Sequence, residues 1–335
     1  MKRLIALFAM LALPAFADCS GQNLIPGLAA PARAALAAAV ATYPFPTGNA
    51  WRAVKPGSTI TIIGTLHLYD PRMEGMMQTL GPLVDAADLV LAEASPEAEA
   101  QLKSAIAANP ALLIRPTGPT LPEVLTKAEW AALSAELTAR GVPPFMAAKF
   151  QPWYVSMLLG IPTCAIAALA DGPTGLDQMV MNRAARAGIP ILSLEPYDTV
   201  FRAFGALSDA EQITMIRAAL VTIPGAADQF ATLTAAYFAG QHRQIWEFTR
   251  QQAATIPGTD PGQMAADFNL MEQALLTGRT VPWMDVLLPG AMGKTVVVAV
   301  GAAHLSGEKG LLYLLQQAGY TLTEIPLLPQ TNPAP

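Results

Sequence analysis

Two stretches leave little freedom in architecture. Residues 59–63 read Thr-Ile-Thr-Ile-Ile, and residues 295–300 read Thr-Val-Val-Val-Ala-Val. Both are β-branched almost throughout, and neither carries a charge. A strand with one wet face alternates apolar and polar residues. An uninterrupted apolar strand is instead buried on both faces, as in parallel sheets covered by helices. Shorter runs of the same kind lie at 88–93 and 190–195, and 321–325 adds a fifth. Residues 51–54 and 58–64 read as a hairpin turned by Lys55-Pro56-Gly57. Helical stretches at 73–86, 175–187 and 307–318 separate the strands, and an Ala-rich helix candidate covers 31–40. Strand–helix–strand order predicts an α/β fold, with a mostly parallel central sheet and flanking helices.

The remaining long stretches, about 96–170 and 196–292, read as mostly helical insertions that form a large cap over the sheet. Within the first, residues 151–170 carry no charge and have the length of a membrane span. Pro152, Gly160 and Pro162 interrupt them and no basic cluster flanks them, so they read as a buried helix pair.

The start of the chain reads as a targeting segment. Met1-Lys2-Arg3 precedes an apolar run to Leu13, then Pro14 and Ala15-Phe16-Ala17. That is the layout of a cleavable secretory signal over 1–17, with a mature start at Asp18. Cys19 raises the alternative of a lipoprotein, which Asp18 directly before it argues against. The expectation is therefore an exported protein, periplasmic or extracellular, with no stable membrane span after cleavage. Residues 18–325 read as a single domain, and 326–335 as a loose Pro-rich tail. In an oxidising compartment the two cysteines, Cys19 and Cys164, suggest a disulfide. The net charge is −5 and no Lys/Arg block exists beyond the signal, which excludes nucleic acid as an expected partner.

The chemistry concentrates in the histidines, of which there are three. Gly64-Thr65-Leu66-His67 follows one strong strand, and Gly301-Ala302-Ala303-His304 follows the other. Each reads strand, glycine, two residues, histidine, with the glycine expected to let the backbone turn sharply. Both imidazoles then emerge beyond strand carboxyl ends, where open α/β sheets bind ligands. Glu93 and Glu195 end two further strands and share that placement. Two imidazoles with one or two carboxylates suit zinc, manganese or iron, and a carboxylate outside the metal set could act as general base. A strand-end histidine taken alone is more often structural, and either glutamate could serve only the positive end of a following helix. The recurrence of one local pattern in two of three histidines favours function for the pair. His242, in Gln241-His242-Arg243, reads as a surface residue. No His-Glu-x-x-His helix or Gly-x-Ser-x-Gly elbow occurs. Gly290-Ala-Met-Gly293-Lys294-Thr295 lacks the first glycine of a phosphate loop and precedes a strand, so it is rejected as one.

With these residues placed, the chain resembles the TraB/GumN/PrgY family, which includes the Tiki proteins. The resemblance rests on Gly64 to His67 after the Trp51 hairpin, and on Gly301-Ala-Ala-His304-Leu305-Ser306-Gly307-Glu308-Lys309-Gly310. Glu93, Lys149 before Pro152-Trp153, the Gly175-Leu176-Asp177 stretch and Leu194-Glu195 also fit. It implies a metal-dependent, metalloprotease-like hydrolase acting on a peptide or protein, with manganese or cobalt favoured and zinc possible. His67, His304 and Glu93 would be the metal-site residues. Glu93, Glu195 and Arg279 would be the catalytic set, with Arg279 positioning a substrate carboxylate or phosphate. Arg279 often precedes asparagine in the family, whereas Thr280 follows here, so that polar contact is in question. Two other classes stay open: a non-catalytic protein that captures peptides, and, by fold analogy alone, a haem or iron carrier.

Overall fold

The computed structural model of the chain describes residues 21–169, 175–255 and 260–327. The expected signal at 1–17, Cys19 with its expected bridge to Cys164, and the tail from 328 lie outside the described residues.

Six strands form one sheet: β1 (Ala50–Lys55), β2 (Ser58–Thr65), β3 (Leu89–Ala92), β4 (Ile191–Ser193), β5 (Thr295–Gly301) and β6 (Thr321–Glu324). Their order is β4-β3-β5-β2-β1-β6. The pairs β4–β3, β3–β5 and β5–β2 run parallel, while β2–β1 and β1–β6 run antiparallel. The expected α/β class and mostly parallel sheet are therefore found. β1 and β2 are the expected hairpin, and Gly57 supplies the positive φ of +75° that its turn requires. β5 comes late in the chain yet inserts between β2 and β3, so the sheet centre is closed by a long-range pairing.

The unbroken apolar runs are explained by the two faces of the sheet. Val296, Val298 and Val300 join Ile60, Ile62, Leu89 and Leu91 in one cluster. That cluster packs against Trp283 and Leu287 from helix Gly278–Gly290 and against Leu311, Leu312 and Leu315 from helix Leu311–Gln317. Val297 and Ala299 turn the other way, with Ile63 and Val90. They meet Met73, Met76 and Leu80 of helix Arg72–Asp85, and Leu176, Val180 and Ala184 of helix Leu176–Arg186. Period-2 geometry sends alternate residues to opposite faces, and both faces are dry. Each such fully buried aliphatic side chain contributes about 1.5–3 kcal/mol relative to exposure.

The inserted segments divide between two jobs. Helices Lys127–Ala139, Pro152–Leu159 and Asp209–Thr222 build a third cluster of their own around Leu133, Leu137, Val155, Leu159 and Ile216. Capping boxes at Thr126/Glu129 and Ser208/Glu211 start two of these helices. By contrast, helices Ala226–Phe238 and Gly278–Gly290 of the second insertion pack Tyr237 and Trp283 directly on the sheet. The charge-free stretch is the helix pair Pro152–Leu159 and Thr163–Leu169, broken near Gly160. Among the described residues no helix is long and apolar enough to cross a membrane.

Two local expectations are corrected. His242 does lie on a helix, but it is buried, and its Nε2 meets the Phe45 carbonyl at 3.1 Å. The helix expected over 307–318 forms only at Leu311–Gln317. Gly307 has φ +97°, and a Cβ on Gly310 would lie 2.2 Å from the Ser306 carbonyl oxygen. A turn this tight admits glycine and excludes an earlier helical start.

Candidate functional site

Parallel register brings the candidate side chains to one edge. Ser193 is level with Ala92, Ala92 with Ala299, and Ala299 with Ile63. Across the carboxyl edge the order is therefore Glu195 after β4, Glu93 after β3, His304 after β5 and His67 after β2. Sequence placed each of these residues at a strand end, and the topology makes those ends neighbours.

The two glycines of the repeated pattern work differently from the sharp turn expected of them. Neither has a positive φ, and Gly301 sits at φ −51° and ψ 133°. What they provide is room. A Cβ on Gly64 would lie 2.6 Å from Leu305 Cδ1 and 3.1 Å from Ala302 Cα, blocking the turn that carries His304. A Cβ on Gly301 would lie 3.2 Å from Glu93 Oε1, 3.7 Å from His304 Cδ2 and 3.8 Å from His67 Nε2. The space in front of Gly301 is thus a small hollow shared by a carboxylate and two imidazoles.

Arg279, from helix Gly278–Gly290, ties the two glutamates together. Its Nη2 donates to Glu93 Oε2 at 2.5 Å and to Glu195 Oε1 at 2.6 Å, and its Nε donates to Glu195 Oε2 at 3.0 Å. Nη1 donates to the Leu275 carbonyl at 3.2 Å. Glu195 Oε2 also accepts from Trp283 Nε1 at 2.9 Å. Four of the five guanidinium N–H groups are committed inside the protein, so Arg279 acts here as an internal tie. Glu195 holds that tie in place. Glu93 is different, because its Oε1 faces the hollow and accepts the Gly301 amide at 2.7 Å. Burial alone would push the Glu93 carboxyl up. The charges of His304, Arg279 and His67 and the Gly301 amide outweigh it and hold the group at about 2.

His304 is buried, its ring 4.4 Å from that of Trp283. Burial pushes its pKa down to about 4, against the opposing pull of Glu93. The ring is therefore neutral near pH 7, and at that pH Arg279, His67 and the Gly301 amide are what hold Glu93 ionised. The local bonds also choose a tautomer. Thr280 Oγ1 donates its single proton to the Leu276 carbonyl at 2.9 Å. It lies 2.7 Å from His304 Nδ1, and with its proton on that carbonyl it accepts from Nδ1–H. That leaves the lone pair on Nε2, which faces Glu93 Oε1 at 3.8 Å. Two electron-rich atoms across such a gap call for a proton, a water or a cation between them. The residue after Arg279, Thr280, thus makes polar contacts of its own through its hydroxyl.

His67 stands at the open side of the hollow, with 63 % of its side chain exposed. Its Nδ1 lies 3.3 Å from Asp177 Oδ2. The Asp177 contact, opposed by the ring's partial loss of solvent and helped by the charges of Asp177 and Glu93, raises its pKa to about 9. Asp177, Thr280 and Trp283 are the contributors that the sequence reading did not place in the site. Asp177 carried two signals, its place in the Gly175-Leu176-Asp177 stretch that fits the family and a carboxylate in the first turn of a helix, the latter also the ordinary place for one.

The donor chemistry of the hollow suits a divalent cation: one ionised carboxylate oxygen, one neutral imidazole with its lone pair inward, and a second imidazole alongside. As placed, no group of three or more His, Cys, Asp or Glu among the described residues stands close enough to hold a metal ion. The fit is one of donor type and direction, and the three groups would have to draw together to close on an ion.

The family model for TraB/PrgY/gumN matches residues 49–324, most of the chain and every residue of this site. No curated protein matches the chain.

Proposed function

The chain belongs to the TraB/PrgY/gumN family, and we propose that it is a metal-dependent hydrolase that cleaves a peptide or related bond outside the cytoplasm. The observation that carries this reading is the Gly301 hollow, where Glu93 Oε1, His304 and His67 Nε2 surround one space that a methyl group would fill. His67, His304 and Glu93 would hold the ion, with manganese or cobalt favoured and zinc possible. Bound there, a divalent metal would polarise a carbonyl and lower the pKa of water towards neutrality.

The protein's own residues prepare that chemistry. Thr280 orients His304 and keeps its Nε2 unprotonated. Arg279 and the Gly301 amide keep Glu93 ionised at neutral pH, so Glu93 serves as ligand or proton acceptor and not as an acid. Glu195 and Trp283 fix Arg279, which sets the angle of Glu93. His67 carries a proton at neutral pH and would give it up to hold a metal, so binding would release protons.

Calorimetry with manganese, cobalt and zinc, on the wild type and on His67→Ala/His304→Ala, tests the proposal. One-site binding that vanishes in the double variant, followed by chelator-sensitive cleavage of a peptide library, is the expected outcome. A folded wild type that binds none of the three metals would overturn it. Peptide capture without cleavage, unaffected by chelation, would assign the chain to the binding class instead.

A further inference from the structure

We infer that Asp177 is the positioning residue of His67, holding Nδ1 so that Nε2 points at the space between Glu93 and His304. For its consequence, though not for its geometry, the inference rests on the metal reading above.

The backbone brings the two segments together. Gly175 precedes helix Leu176–Arg186, and a Cβ there would lie 2.4 Å from the Leu66 carbonyl oxygen and from the His67 carbonyl carbon. The Leu176 amide donates to the Leu66 carbonyl at 3.0 Å. The first turn of this helix is therefore pressed against the His67 segment, and only glycine permits the approach. The helix is itself anchored, since Leu176, Val180 and Ala184 are buried against helix Arg72–Asp85. Asp177 thus stands on a rigid element beside an exposed imidazole, which is where a positioning carboxylate should stand.

A carboxylate in a first helical turn is usually explained by the helix dipole or by capping the backbone amides. Asp177 does not fit that explanation well. The cap position, Gly175, has no side chain to make the bond, and among the described residues no side-chain cap bond is present at this helix start. Asp177 Oδ2 reaches His67 at 3.3 Å, while Oδ1 is buried with no hydrogen-bond partner among the described residues.

The geometry has a direct consequence for the ring. With Asp177 Oδ2 3.3 Å from Nδ1, an Nδ1 proton directed at it would fix both tautomer and ring plane, and leave Nε2 as the atom facing the hollow. His304 is treated the same way by Thr280 on the opposite side. Both imidazoles then present Nε2, and each is held from behind by a different element of the fold.

Nitrogen-15 NMR of the imidazoles tests this without any variant. Above pH 10 the wild-type His67 is expected as the neutral Nδ1–H tautomer, and a neutral Nε2–H tautomer would overturn the inference. Asp177→Asn keeps an oxygen that accepts from Nδ1–H and is expected to retain that tautomer. Asp177→Leu has the same breadth with no acceptor, and is expected to lose it and to weaken manganese or cobalt binding about 10–100-fold. An Asp177→Leu protein with an unchanged His67 tautomer and unchanged metal affinity would also overturn it, whatever its melting temperature. The two readings fail separately. If the wild type binds no metal, the hydrolase proposal falls, while the tautomer spectrum still decides the role of Asp177.

Discussion

Replacing Arg279 with alanine removes the cation that two buried carboxylates share. The side chain of Glu93 is 15 % exposed and that of Glu195 10 %, and in the variant Glu93 keeps only the charge of His67 while Glu195 keeps no ion pair among the described residues. Four N–H bonds disappear together, three of them to ionised oxygens. Each charge-assisted bond is worth about 1.5–3 kcal/mol alone, but they share one donor group and do not add. Breaking a buried pair by removing one partner costs about 3–5 kcal/mol, because a charge is left stranded, and that is the loss expected at pH 7.5. The loss should shrink in acid. Glu93 without Arg279 protonates in a higher range than about 2, and a neutral carboxyl needs no partner. Below that range the gap to wild type narrows by up to about 1.4 kcal/mol per pH unit. Removing one stranded charge with Arg279→Ala/Glu195→Gln should recover a substantial part at pH 7.5. Urea unfolding followed by circular dichroism at pH 7.5 and pH 5 measures all of this. A single variant that loses under about 1 kcal/mol at both pH values would refute the account of a buried tie, because a stranded carboxylate cannot be that cheap.

Gly301→Ala should separate site from fold. The backbone at φ −51° suits alanine, so stability should change by no more than about 1–2 kcal/mol. The new methyl would occupy the hollow between Glu93 and the imidazoles, and calorimetry should show metal binding weakened at least tenfold. Wild-type affinity in this variant would place the ion elsewhere. A further expectation concerns acid stability. Burial, partly opposed by the Phe45 carbonyl, lowers His242 to about 4, below the 6.5 of an unfolded histidine. The unfolded chain therefore binds the proton first. Stability is full above pH 6.5 and is lost as pH falls towards 4, by about 2 kcal/mol at pH 5. His242→Gln should flatten that part of the unfolding profile, and an unchanged slope would show that another group controls it.

The α/β class and the site edge were legible because short-range pattern determines them. Thr59 to Ile63 and Thr295 to Val300 are too apolar for a half-wet strand, so a two-sided core follows from composition over a few residues. A glycine, two residues and a histidine after a strand put an imidazole at a carboxyl end wherever that strand lies. The hairpin turn was equally local, since Lys55-Pro56-Gly57 contains its own conformational reason. Strand order was not local. That β5 enters between β2 and β3 is decided by which faces can be covered together, and it alone makes Glu93, His304 and His67 neighbours. The roles of Gly64 and Gly301 lay equally out of reach of the sequence. A missing Cβ looks the same whether it serves a turn or makes room for a neighbour from another strand. His242 read as a surface residue because its charged neighbour Arg243 suggested an exposed helix face, yet Arg243 is buried and paired with Glu247 and Glu272. Thr280 and Trp283 carry no motif, and the stretch that holds Asp177 does not name its partner, because their work consists of contacts to residues far along the chain. The sequence determined which chemical groups reach the edge of the sheet. The tertiary structure decided which of them is charged, which nitrogen faces inward and which arginine holds them, because those properties belong to distances between segments and not to any segment alone.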